Sequence, residues 1–309
     1  DGLATGVSAF YATVSGTATS SELAKMSFLL NGPDATNAVG TYDSSTGRVN
    51  FSGLNLSIAD GGSENYAIKA YYNDNTSSND LADHHTVVLS VNASDFTAVS
   101  GGSTFASSQA NVTNGSGASI DIAATKLIYS QSPSTSVVSG INFTTQPLVI
   151  AVDDCGNIDT DFNGSVTLSE SGSGSLTGTT TVTASNGVAT FSGVKYTSAS
   201  DADANFVLTA AAGSLVSATS ASINPDVVAT RLVFSTQPVP IAIQSGQSTS
   251  FTTVPVVQSV DANGMVDQDY STNIVISVTD PNDGTVDGTV NSFTVTSGDQ
   301  DASSTTVTL

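Results

Sequence analysis

Apolar residues along this chain recur in short alternating runs separated by glycine, asparagine and serine. Over residues 124–223 the runs are, in order, "TKLIYS", "INFTTQPLVIAV", "GSVTLS", "TTTVTA", "GVATFSGV", "NFVLTAA" and "LVSATSASI", with "ESGSGS" and "SNG" as turn signals. A period of two is what a strand with one face on a core requires. About seven such strands in roughly 100 residues, with turns every 8 to 12, predict an antiparallel sandwich. The alternation turns Val166 and Leu168 inward, and Val188 separately. Residues 1–122 carry further runs, "KMSFLL", "GRVNFSGLNLSI", "ENYAIKAYY", "HTVVLSV" and "SIDI", with turns at "DSSTG" and "ADGGS" and a long polar loop, "NDNTSSNDLADHH". No segment sustains a period of 3.6, and a single helical turn is expected at "SSELAK". The predicted class is all-β.

The same runs reveal a repeat. "DIAATKLIYS", beginning at Asp121, matches "DVVATRLVFS", beginning at Asp226, with conservative swaps at every differing position, and the runs lead to Pro133 and Pro238. Downstream, "INFTTQPLVIAV" answers to "TSFTTVPVVQSV", and "VDDCGNIDTDF" (152–162) to "VDANGMVDQDY" (260–270). The period is about 105 residues, with a short insertion expected near "PIAI". Three domains follow: a divergent sandwich over 1–122, a repeat over 123–227, and a second copy over 228–309 that ends after a strand-like "STTVTL". That copy stops about two strands short of its sibling. A longer protein, or a partner that supplies the strands, is therefore expected.

"LVFSTQP", the "VD-x-x-G" turn, "GSVTL", "GTTTVTASNGVATFSGV" and "FVLTAAAGSLVSATS" together resemble the immunoglobulin-like repeats found in tandem in very large bacterial and archaeal surface proteins, adhesins and surface-layer proteins among them. The likeness is full over 124–227 and partial over 229–309; the first domain is similar only in style. It implies tandem antiparallel immunoglobulin-like β-sandwiches, outside the cell, that project, link or adhere without catalysis. Met265 stands where the first copy has Asn157, so the asparagine is not expected to matter to the loop.

Charge and cysteine narrow the chemistry. Acidic residues number 27 against 6 basic ones, a net charge of -21, which repels phosphate backbones and excludes nucleic acid as a natural partner. The same surface offers hard oxygen ligands to divalent cations. Cys155 is the sole cysteine, so no disulfide can form within the chain, and its acidic neighbours disfavour a reactive thiolate. No apolar run reaches the roughly 18 residues of a membrane span, and the sequence opens at Asp1 without a charged leader or apolar signal segment, so any signal or anchor is expected to lie outside this sequence or to have been removed. Two adjacent histidines, His84 and His85, fall on opposite faces if extended and do not converge on a metal. Neither G-x-S-x-G nor G-x-x-x-x-G-K occurs, and tryptophan, a common sugar platform, is absent. No enzyme is expected. Asn-x-Ser/Thr sequons occur at about the frequency that the serine and threonine content produces by chance.

The repeated loop V-D-x-x-G-x-x-D-x-D carries the one candidate site. Asp153 and Asp261, flanking Gly156 and Gly264, suit the capping of a tight turn. Asp159, Asp161, Asp267 and Asp269 crowd like charges that a turn alone does not explain. In a sandwich of this type the loop lies where the first strand enters, so the preceding Asp121 and Asp226 are expected beside it. These eight aspartates are the candidate ligands of a Ca²⁺ ion that would stiffen each junction; the alternative is a plain turn on a solvated face.

Two functions compete on this reading. One is a stalk or adhesive arm of a large repeat adhesin, whose partners are neighbouring domains and cell-surface or glycan ligands. The other is a subunit of a self-assembling surface layer, sheath or filament, completed by strands from another copy of the same protein. An accessory module of a secreted enzyme is a weaker third.

Overall fold

The computed structural model describes residues 2–72, 80–103, 105, 110–237, 239, 252–253, 255–272, 274, 277–279, 286–289 and 302–303. Two compact units emerge. The first comprises Asp1–Lys126, Ile150–Asn163 and Ser185–Val188, the second Leu127–Val149, Gly164–Ala184 and Ala189–Leu309.

In the first unit the strands are β1 (Thr5–Gly16), β2 (Met26–Gly32), β3 (Ala35–Asp43), β4 (Arg48–Phe51), β5 (Leu56–Ile58), β6 (Ala67–Tyr72), β7 (Thr86–Val91), β8 (Phe96–Ala98), β9 (Val112–Thr113) and β10 (Ala118–Ser119). They form one antiparallel sheet in the order β10-β7-β1-β4-β3-β2-β6, with β5 and β8 also on β1 and β9 on β7. Because β1 engages four partners along its length, the sheet curls around its apolar face. Phe10, Phe28, Leu30, Val49 and Phe51 fill that face, and Phe10 stacks on Phe51 at 4.8 Å and on Phe96 at 5.2 Å. Each such aromatic removed from water contributes about 1.5–3 kcal/mol.

The alternation found β2 and β4 to β7, overlapped β10 only at Ser119, and missed β1, β3, β8 and β9. A register shift between Val7 and Ala9 breaks the period in β1, so its buried residues are Val7, Phe10 and Ala12. In β3 the apolar residue faces out and the glycine faces in: Val39 is 70% exposed, while Gly40 is buried beneath the Phe51 ring, which a Cβ there would meet at 2.6 Å. The predicted helical turn is α1 (Ser20–Ala24), closed by a capping box between Thr19 and Glu22.

Chain order continues with β11 (Lys126–Gln131), β12 (Ser136–Val138), β13 (Leu148–Val152), β14 (Ser165–Glu170), β15 (Ser175–Thr177), β16 (Thr181–Thr183) and β17 (Val188–Thr190). Then come β18 (Lys195–Thr197), β19 (Leu208–Ala211), β20 (Ala218–Thr219), β21 (Asn224–Asp226), β22 (Arg231–Thr236) and β23 (Val256–Val260). In the second unit β16-β14-β19-β20 make an antiparallel sheet and β15 pairs with β18. β12 and β21 pair in parallel, with Val138 opposite Asp226. Tyr196 and Phe206 stack at 4.1 Å over a core that includes Leu208, Ile223, Val166 and Leu168.

Val166 and Leu168 face inward as the alternation requires, but Val188 does not: Ala189 and Phe191 are the buried residues. The hairpin turn decides this. Asn186 (φ 50°) and Gly187 (φ 77°) take left-handed conformations, and Ser185 and Val188 exchange backbone hydrogen bonds of 2.9 and 3.0 Å across them. A two-residue turn of that kind sets the register of the strand that leaves it.

The chain is thus all-β, with sandwich-like antiparallel sheets. The expected insertion at 240–243, the strand at 304–309 and part of the polar loop, 73–79, lie outside the described residues. No helix among the described residues is long and apolar enough to cross a membrane.

Candidate functional site

The two copies of the aspartate loop close in the same way. Leaving β13, Asp153 Oδ1 accepts the backbone N–H groups of Cys155 (2.9 Å) and Asn157 (2.8 Å), and Gly156 takes φ 96°. Leaving β23, Asp261 Oδ1 accepts those of Asn263 and Met265, both at 2.8 Å, and Gly264 takes φ 90°. These two aspartates close their own turns, as capping requires. Neither joins the clusters described below. The Asn157 side chain is not idle, contrary to what its replacement by Met265 suggests. Its amide donates to Asp153 Oδ2 (2.9 Å), and its oxygen accepts the Leu81 N–H (3.0 Å). In the second copy the amide of Asn263, at the position of Cys155, reaches Asp261 Oδ2 at 3.3 Å.

The next aspartate of each loop grips the chain that precedes the repeat. Asp159 Oδ2 accepts the Ala124 N–H and Asp267 Oδ2 the Ala229 N–H, each at 2.8 Å. A further aspartate, absent from the sequence-based set, completes each arrangement. Asp83 accepts the N–H of Ile122 on Oδ1 (3.0 Å) and that of Thr160 on Oδ2 (2.9 Å). Asp201 accepts those of Val227 on Oδ1 (2.9 Å) and Gln268 on Oδ2 (2.6 Å). Ile122 follows Asp121 as Val227 follows Asp226, and Thr160 follows Asp159 as Gln268 follows Asp267. The backbone bonds of the two clamps correspond; in the first, Thr160 Oγ1 also donates to Asp83 Oδ2 at 2.8 Å. Spacing could not have found them, because Asp83 precedes Asp121 by 38 residues and Asp201 precedes Asp226 by 25.

The clamps differ in charge. In the first unit, Asp83, His84 and Asp161 bring one ligand atom each within 4.8 Å of the others. His84 Nε2 lies 3.1 Å from Asp161 Oδ1 and 3.6 Å from Asp83 Oδ2. The hydrogen bond to Asp161, with the charges of Asp83, Asp161 and Asp121 around it, raises the pKa of the imidazole. Burial alone would raise the Asp83 carboxyl, but the hydrogen bonds from Ile122 and Thr160 outweigh it and hold the pKa low. Asp159 is fully engaged, its Oδ1 accepting the N–H groups of Asp161 (3.0 Å) and Phe162 (2.9 Å). Asp121 is exposed and reaches this group through its field.

In the second unit, Asp201, Asp267 and Asp269 bring one carboxylate oxygen each within 4.8 Å of the others. Ala202 stands where the first unit has His84. Asp267 is buried, 5% exposed, and its Oδ1 has no hydrogen-bond partner among the described residues. Burial pushes its pKa up, and the adjacent Asp269 carboxyl adds to the shift. Asp226, brought to the group by β21, is raised by burial and by the charges of Asp269 and Asp201. Asp203 shapes the loop that presents Asp201 by accepting the N–H groups of Ala199 (2.7 Å) and Ser200 (3.1 Å).

Of the eight sequence-predicted ligands, Asp267 and Asp269 come together in one group, with Asp226 close enough to feel its charge, and Asp161, bonded to Asp159 and within the field of Asp121, joins another. The histidines part, but not as neighbours on a strand: His84 takes φ 63° in the turn before β7, and His85 Nδ1 lies 2.9 Å from the buried Glu22, away from His84's partners. Apart from the clamps, the curled sheet of the first unit forms a half-open, largely apolar pocket of about 630 Å³ beside Phe10, Leu56, Tyr66, Leu89 and Phe96, which the sequence does not reveal. Glu64 on its wall accepts the Tyr66 hydroxyl at 2.6 Å. Compared with models of protein families and with curated protein sequences, the chain matches none.

Proposed function

We propose that this chain is a non-catalytic structural segment of an extracellular cell-surface protein, working as a stalk or adhesive arm built from tandem β-domains. Support comes chiefly from the recurrence of one hydrogen-bonded clamp in successive copies, at Asp83–Ile122–Thr160 and, 105 to 118 residues further along, at Asp201–Val227–Gln268. A spacer needs each repeat to be entered in the same way as the last, and backbone donors held by a shielded carboxylate do this whatever the side chains of the linker are. The net charge of -21 favours solubility and keeps copies apart.

A second reading, a surface layer or filament, is favoured by one feature. β22 presents Leu232 (46% exposed) and Phe234 (44%) to solvent, with Val239 (46%) beyond it. Apolar residues on a strand invite another chain to cover them. Sedimentation and small-angle scattering of the whole chain over a range of concentrations separate the two. A spacer stays monomeric, and Asp83→Ala combined with Asp201→Ala broadens its distance distribution. Growth into polymers that Leu232→Ser and Phe234→Ser abolish would favour assembly instead.

A further inference from the structure

We propose that the second unit holds a single divalent cation of the Ca²⁺ class between the carboxylates of Asp201, Asp267 and Asp269, while the first unit closes the corresponding position with His84. This goes beyond the spacer function and stands whether or not that function does.

Two independent observations carry it. Three carboxylates place one oxygen each within 4.8 Å of the others, with a fourth, Asp226, close enough to feel their charge. That spread is about twice a Ca–O distance of roughly 2.3–2.6 Å. Independently, Asp267 Oδ1 is buried and unpartnered among the described residues, although Asp267 Oδ2 is engaged by the Ala229 N–H. A buried acceptor left unmatched among like charges is unfavourable, and a cation at that point removes both penalties. The donors are all oxygen, which selects a hard cation over zinc or copper. Ca²⁺ also tolerates the irregular coordination that carboxylates and water would complete.

Comparison within the chain sharpens the inference. The equivalent of Asp267 is Asp159, and its Oδ1 is satisfied by the N–H groups of Asp161 and Phe162. The equivalent of Asp269 is Asp161, and its Oδ1 already faces the His84 imidazole at 3.1 Å. One clamp therefore has an imidazole facing its carboxylates; the other, with Ala202 after its aspartate, lacks it.

The test is calorimetric titration of the whole chain with CaCl₂ near neutral pH after removal of metal by a chelator. Expected is one saturable site per chain, weakened at least about tenfold by Asp269→Asn and unchanged by Asp161→Asn. Asp269 is exposed, and its replacement leaves the backbone bonds of Asp201 and Asp267 in place. Thermal melts supply a second readout: Ca²⁺ raises the midpoint of the wild type and of Asp161→Asn, but not that of Asp269→Asn. No saturable binding, equal affinity in Asp269→Asn, or loss of binding in Asp161→Asn would overturn the proposal. Scattering that contradicts a spacer would leave it standing.

Discussion

Glu22 shows how a carboxylate becomes structural in this protein. It is 1% exposed, yet its pKa is lowered from 4.5 to about 2. Burial works against the charge but is outweighed by the N–H of Thr19, the His85 imidazole and the N–H of Ala82. A depressed carboxyl stabilises the fold above its unfolded pKa and loses that contribution as pH falls through the folded value. The loss is therefore expected between about pH 4.5 and pH 2, amounting to on the order of 3 kcal/mol. Thermal melts of wild type and Glu22→Gln over this range check it: their midpoints differ at neutral pH and converge toward pH 2. Of the setting of Glu22, only the helical turn at "SSELAK" was expected from the sequence. Its bonds to Ala82 and His85, 60 and 63 residues away, were not. The same holds for Asp83 and Asp201, which no local pattern distinguishes from any other loop aspartate.

At the scale of elements, alternation succeeded where strands run unbroken over a core and failed where geometry departs from a period of two. β1 carries a register shift, and β3 turns Gly40 inward because the Phe51 ring needs the space that a side chain would take. The hairpin at Asn186 and Gly187 displaced the inward face from Val188 to Ala189 and Phe191. Gly187 has a second constraint: a Cβ there would stand 2.3 Å from the backbone oxygen of Asp159, a member of the first clamp. Gly187→Ala is therefore expected to cost more than the roughly 1–3 kcal/mol of a left-handed non-glycine residue alone. Denaturant unfolding measures that cost. Hydrogen exchange at the amides of Asp161 and Phe162, which bond to Asp159, should quicken in the same variant.

Over the whole molecule, a net charge of -21 means that charges repel within the folded chain as well as between chains. Salt shortens the reach of this repulsion to about 8 Å at physiological ionic strength. The melting midpoint of the chelator-treated protein is accordingly expected to rise as NaCl is added from millimolar levels, as a thermal series checks; a flat response would show the charges to be too dispersed to matter. The all-β class, most strands, the 105-residue repeat and the acidic loop follow from sequence alone, because periodicity, turn chemistry and self-similarity act between residues near in the chain or identical in pattern. Which aspartates share a site was decided only by tertiary structure. Asp83 and Asp201 reach the clamps from loops at unrelated spacings, Asp226 arrives through the parallel pairing of β21 with β12, and burial leaves one oxygen of Asp267 unmatched. Convergence of carboxylates depends on distance in space, and a linear sequence encodes it only through the whole of the packing.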